Sequence, residues 1–151
     1  MLTSISFEEL LTSAGRDLGQ TGWHTITQPE VDQFAELTQD RQWIHIDVAR
    51  ARTGPFGSTV VHGFLTLSLL PFFIDQLLKV TGISMGVNYG LDKVRFPAAV
   101  PTGSQVRGGV VIAAVDTSKP GRAATTLRVT VDCDAAKRPA CVADLVAMFF
   151  R

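Results

Sequence analysis

The 19-residue run VVHGFLTLSLLPFFIDQLL, from Val60 to Leu78, sets the terms for the rest of this chain. As a helix it is apolar on nearly every face, and such a helix has to be surrounded by other apolar matter. A bilayer is one such environment, but a span needs about 20 clean apolar residues. This run is shorter and is interrupted by His62, Pro71, Asp75 and Gln76. It therefore reads as one long core helix that the remaining residues must cover. Pro71 cannot donate to the carbonyl of Leu67, so a bend is expected there.

The cover comes mostly from the C-terminal half of the chain. Gly86–Phe96, Gln105–Val115, Ala123–Asp132 and Ala140–Phe150 are valine-rich strand candidates. They are divided by turn-forming stretches at Pro97–Gly103, Ser118–Gly121 and Ala135–Pro139, and such short connections favour antiparallel neighbours. One buried helix against an antiparallel sheet is an α+β layer architecture. A sheet curled around the helix, the hot-dog arrangement, fits this order. Upstream, Ser6 is placed to cap a helix over Phe7–Ala14, and Gly15–Gly22 reads as a turn-rich connection. Trp23–Ile26 reads as extended. Thr27 caps a further helix, with Pro29 in its first turn and Glu30 completing a capping box. Val31, Phe34, Ala35 and Thr38 form its inward stripe. A short helix is expected near Asp47–Arg52. With 151 residues and no linker or repeat, the whole of 1–151 is expected to be a single domain.

Composition narrows the partners. Lysine plus arginine and aspartate plus glutamate both number 14, and without a basic run neither nucleic acid nor an anionic membrane is an expected partner. Hydrophobic residues reach 46% and charged ones only 19%, which favours a buried subunit interface. Cys133 and Cys141 are read as reduced thiols, since two cysteines do not make a disulfide framework and no zinc-type spacing is present. The opening MLTSISFEELL lacks the basic and apolar regions of a signal peptide, which makes the cytoplasm the expected location.

Chemistry concentrates between Phe34 and His62. Asp40, His45 and His62 lie in this stretch, which ends where the core helix starts, at His62-Gly63. On one continuous helix Asp40 and His45 would lie about 140° apart, so they would not share a face. The helical pattern fades at Thr38-Gln39, however, and Trp43-Ile44-His45-Ile46 alternates, so a turn between them can bring carboxylate and imidazole together. Spacing alone permits such a pair and equally permits a capping aspartate and a surface histidine.

The strings TQDRQWIHIDVARA and GPFGSTVVHGFLTLSLLP resemble the MaoC-like, or R-specific enoyl-CoA hydratase, family, in particular its NodN-like branch. That family carries a glycine-Asp-x-Asn-Pro-apolar-His core; Asp40, Ile44 and His45 occupy the matching positions. The chain departs at Gln39, where glycine is usual, and at Gln42-Trp43, where Asn-Pro is usual. Gln-Trp is familiar in the NodN-like branch, whereas Gln39 leaves the local turn as the open question. His62-Gly63 and VRFPAAVPTG, Val94 to Gly103, also resemble family segments, so the likeness spans most of the chain.

The resemblance implies hydration of trans-2-enoyl thioesters to R-3-hydroxyacyl thioesters, and the reverse dehydration. A coenzyme A or acyl carrier protein thioester would be the substrate, with no metal or other cofactor. Asp40 and His45 would hold and activate water, with the proton roles of each left open. Gly63 is the candidate N–H donor to the thioester oxygen as it gains charge. Gly57 is the second candidate substrate-binding glycine; it and Gly54 shape an acyl entrance or are ordinary turn residues. The resemblance also implies a homodimer. Two other readings stay open: a hot-dog thioesterase, and a non-catalytic thioester-binding protein.

Further residues have both a functional and a structural reading. Asn88 and Tyr89 are candidates for the pocket wall, and Arg95 and Lys93 for coenzyme A phosphates, where paired or solvated charges are the plainer expectation. Phe64, Phe72 and Phe73 are expected in the core, with Phe72 or Phe73 limiting acyl length. Trp43 is expected to anchor its turn. His62 is expected to mark the helix start as a cap or packing residue and to stay outside the catalytic set.

Overall fold

The computed structural model describes all 151 residues. In chain order the elements are β1 (Thr3–Ser6), α1 (Phe7–Leu10), β2 (Asp17–Gln20), β3 (His24–Thr25), α2 (Gln28–Thr38), α3 (Trp43–Ile46), α4 (Val48–Ala51), α5 (Gly63–Ser68), α6 (Leu70–Leu77), β4 (Leu78–Thr81), β5 (Met85–Arg95), β6 (Gln105–Asp116), β7 (Arg122–Cys133) and β8 (Cys141–Phe150). The main sheet runs β2-β6-β7-β8-β5, with β3 also paired to β6, and every pairing in it is antiparallel. Sequential neighbours pair from β6 to β8, but β5 crosses over to the far edge beside β8.

The four long strands lie within a residue or so of their expected limits because valine-rich runs bounded by turn residues mark them. Along β7, Ala123, Thr125, Leu127, Val129, Val131 and Cys133 are buried, and the residues between them are not. The buried faces of β6, β7 and β8 share one core with α6, whose Leu70, Phe73, Ile74 and Leu77 are buried, whereas β5 is exposed or half-buried throughout. Gly108 is the closest approach. A Cβ on it would fall 2.5 Å from the Cβ of Phe73, so only glycine lets α6 sit this near to β6.

The expected single rod is two helices. α5 ends at Ser68, Leu69 has helical angles but joins the pieces, and Pro71 stands in the first turn of α6, where its missing N–H costs nothing. The break thus falls ahead of the proline. α6 stops at Leu77, and the chain passes directly into β4, which pairs in parallel with β1. Neither short strand was expected, and Asp17–Gln20 is likewise a strand inside the expected turn region. Ser6 caps α1 as expected, in a capping box with Glu9, but the helix ends at Leu10, four residues short of the expected Ala14.

No helix is long and apolar enough to cross a membrane. Cys133 and Cys141 are free and buried; Val131, not Cys133, lies opposite Cys141. Burial pushes the Cys141 thiol up to about 11.

Candidate active site

Gln39 resolves the turn. α2 ends at Thr38, and Gln39 adopts the left-handed region at φ 64°. Few residues with a side chain rest there, and glycine does so freely. The Gln39 amide donates to the Glu36 carbonyl at 2.6 Å, which satisfies one of the carbonyls left open at the helix end. The reversal brings Asp40 out of the helix, and Trp43–Ile46 then forms a short helix, not the extended segment its alternation suggested. Trp43 anchors this corner: its ring lies under the Arg50 guanidinium, and a Cβ on Gly54 would meet it at 3.0 Å.

His45 projects inward from α3 and is 7% exposed. Its Nδ1 donates to the Val60 carbonyl at 2.7 Å. A carbonyl only accepts, so Nδ1 carries the hydrogen and Nε2 presents the lone pair. Gln28 ties the corner down, donating to the His45 carbonyl at 2.8 Å and accepting from the buried Thr59 hydroxyl at 2.6 Å. Burial pushes the His45 imidazole below its ordinary value and neighbouring His62 adds to this; the Val60 bond and the Asp40 charge oppose it without reversing it. At neutral pH the ring is uncharged, as a general base requires.

Asp40 is exposed and lines a cavity of about 610 Å³. The cavity's apolar wall includes Phe34, Phe64, Leu67, Pro71, Leu91 and Leu145, with Asn88 and Tyr89 also on it. It is an apolar trough with one carboxylate in its wall, the general make-up of a site for a largely apolar ligand. Phe64 and Phe72 are 69% and 45% exposed, unlike the expected core positions, because α5 and the start of α6 face this trough and the open surface; Phe73 is fully buried.

The remaining expected residues divide. Gly63 opens α5, where its N–H has no acceptor inside the helix. A Cβ there would meet the Phe96 ring at 3.1 Å, a tight contact that the ring would have to yield to. Gly63 borders a neighbouring cavity with Phe96, while Phe64, the next residue, lines the Asp40 cavity. Gly57 has a φ of 71° and lines a separate hollow with Thr27, Gln28 and Arg52; the structure does not bring it to Asp40. Lys93 approaches the Asp144 carboxylate at 3.8 Å, and Asp144 also holds Arg128 in a two-point pair, so Lys93 is a paired charge.

His62, expected only to mark the helix start, lies inside the site. It is 2% exposed, stacks on His45 with ring centroids 3.7 Å apart, and donates Nε2–H to the Asp40 carbonyl at 2.9 Å. Asp40, His45 and His62 each offer one ligand atom within 4.8 Å of the others. The two imidazole planes differ by 24°, and one nitrogen of each ring is committed to a backbone carbonyl, Val60 for His45 and Asp40 for His62.

A family model described as "MaoC like domain" matches residues 9–134. The 3-hydroxyacyl-thioester dehydratase Z of Mycobacterium tuberculosis is 46% identical over 149 residues, 99% of each chain. Nodulation protein N of Rhizobium leguminosarum bv. viciae is 40% identical over 146 residues, 95% of this chain and 91% of its own. Among solved structures, an (R)-hydratase of A. caviae involved in PHA biosynthesis superposes with a TM-score of 0.73 at 26% identity, covering 89% of this chain and 94% of that one.

Proposed function

This chain belongs to the MaoC-like family, and from that premise we propose that it is an R-specific hydratase and dehydratase of acyl thioesters. The observation that carries the reading is the His45 ring, buried, uncharged and locked with Nε2 free, beside the Asp40 carboxylate at the head of an apolar trough.

The geometry supports a simple sequence of events. The enoyl chain lies along Phe64, Leu67, Tyr89 and Leu91, with its C2–C3 double bond near Asp40. Asp40 and His45 Nε2 hold one water between them. As the water oxygen bonds to C3, its proton passes to the pair and the π electrons move toward the thioester oxygen. The Gly63 N–H, free of any helical acceptor, stabilises that oxygen; one such donor is typically worth about 3 kcal/mol in the transition state. The pair returns a proton to C2, and the enolate collapses to the 3-hydroxyacyl thioester. Water adds to a polarised double bond with a base, an acid and an oxyanion donor, so the chemistry asks for no redox group. The carrier is coenzyme A or an acyl carrier protein.

A homodimer belongs to the same proposal. β5 is the sheet's edge strand, and Met85, Val87, Tyr89 and Leu91 along it are 43–76% exposed, with Val87 and Leu91 on opposite faces because of a bulge between Asn88 and Gly90. Tyr89 and Leu91 also wall the trough, so a second copy docked there would close the site.

Incubation with crotonyl-CoA tests the reading, following enoyl absorbance and free thiol together. Loss of absorbance without thiol is the expected result. Thiol release would assign a thioesterase. Neither signal, across short and long acyl chains, would leave a thioester-binding protein.

A further inference from the structure

Asp40 sits on an exposed turn and has two hydrogen bonds. One is a long contact of 3.4 Å from its own N–H to the Thr38 hydroxyl, inside the turn. The other comes from His62, at 2.9 Å, to its carbonyl. His62 is thus the one hydrogen-bonding tie between Asp40 and another part of the fold. The same ring lies face to face with His45 and packs against Phe34 at 5.0 Å. The segment leading into α5 therefore grips α3 at three points: the Val60 N–H donates to the Ile44 carbonyl at 2.9 Å, the Val60 carbonyl fixes the orientation of the His45 ring through Nδ1, and His62 fixes its plane.

The His62 ring also leaves a mark of constraint. With Nε2–H committed to the Asp40 carbonyl, Nδ1 is buried and has no partner. An unpartnered buried polar atom is costly, and a phenylalanine would fill the space without one. Packing alone does not account for an imidazole here; the bond to Asp40 does.

Resting on the hydratase reading above, we propose that His62 is a positioning residue of the active site, holding Asp40 through its backbone carbonyl and the His45 ring by stacking. It touches neither substrate nor reacting atoms. Displacing a reacting group by about 1 Å can cost on the order of 100-fold in rate, so small losses of alignment have large effects.

Two substitutions divide the roles. His62→Gln keeps an N–H donor at the reach of Nε2 and loses the stack; His62→Phe keeps the stack and loses the donor. Each is expected to lower kcat for enoyl thioester hydration by about 10-fold or more while KM changes by less than about threefold. The titratable groups facing His45 are Asp40 and His62, so the His45 C–H resonances, followed by NMR against pH, should titrate higher in His62→Gln than in the wild type. In the wild type, nitrogen-detected NMR should find His62 with its proton on Nε2. Folded variants with wild-type kcat and an unmoved His45 titration would overturn the proposal. So would a wild-type His62 protonated on Nδ1 alone, a result that needs no variant to fold. Wild-type protein inactive on every enoyl thioester would instead overturn the hydratase reading, because the NMR measurements require no turnover.

Discussion

His45 donates its Nδ1–H to the Val60 carbonyl across 2.7 Å, and that bond decides which nitrogen is left to work. Burial, the largest influence, holds the ring below its ordinary value of 6.5. A base whose pKa is lowered keeps its lone pair to lower pH. The acid limb of kcat/KM, which reports the free enzyme, should therefore fall with a midpoint below 6.5. The stability linkage has the matching sign: unfolded chain takes up this proton near the ordinary value, folded chain only at lower pH, so stability declines as pH falls between the two. Initial hydration rates from pH 4 to 8 check it, and a midpoint at or above the ordinary value would count against His45 as the base.

Asp40→Ala and His45→Ala should each cut hydration by about 100- to 10,000-fold, the usual span for loss of an acid or base. Their effects on stability should differ. The Asp40 carboxylate is exposed and makes no hydrogen bond, so its loss should leave the melting temperature nearly unchanged. His45 is buried and bonded to Val60, and its truncation should cost about 1–3 kcal/mol through the orphaned carbonyl. Thermal melts beside activity assays separate the two. Full activity in either variant would remove the mechanism.

Gln39→Gly should preserve activity and stabilise the protein by up to about 1 kcal/mol, because a left-handed residue with a Cβ carries a cost of about 1–2 kcal/mol that glycine avoids, less the lost bond to Glu36. Gln39→Val should destabilise and slow the enzyme together, since a β-branched residue resists this conformation. Chemical denaturation of both variants reads the difference. An inactive Gln39→Gly would mean that the side chain, not the turn, matters.

Gln39 also shows where the sequence was legible. β5 to β8 could be read because long valine-rich runs bounded by proline and glycine leave little choice of structure. β1, β2 and β4 are four residues each and pair at edges or in parallel, too short for a period to emerge. The helix break at Leu69 depends on packing over the sheet, with no breaker at that residue. For the candidate site, Asp40 and His45 were singled out through motif resemblance, while their spacing alone allowed a separated pair; the structure brings them together. His62 escaped because a histidine at a helix start is usually a local cap, and its contacts reach back 22 residues to Asp40. No local pattern records a contact of that range.

Gly108→Ala should destabilise the fold by about 1–3 kcal/mol, the usual cost of overpacking. The added methyl would lie 2.5 Å from the Phe73 Cβ, an atom fixed to the α6 backbone that cannot swing aside. The same methyl on Gly90 meets nothing within 4 Å, so Gly90→Ala is the internal control and should change stability by less than about 0.5 kcal/mol. Equal melting temperatures for the two variants would show that α6 does not rest on β6 at Gly108.

The exposed edge of β5 calls for a partner. Unpaired strand edges with apolar side chains are rarely left open to water, and Val87 and Leu91 on β5 are 44% and 43% exposed. Light scattering should therefore find at least a dimer, and Val87→Arg or Leu91→Arg should shift it toward monomer by placing charge in the contact. Because Leu91 also walls the trough with Asp40, Leu91→Arg alone cannot separate assembly from substrate binding. Val87 lies outside the Asp40 trough and makes the cleaner test. If Val87→Arg yields a monomer, hydration should fall with it, since the open side of the trough then loses its cover. A wild-type protein that scatters as a monomer and is fully active would dismiss both the dimer and its role in closing the site.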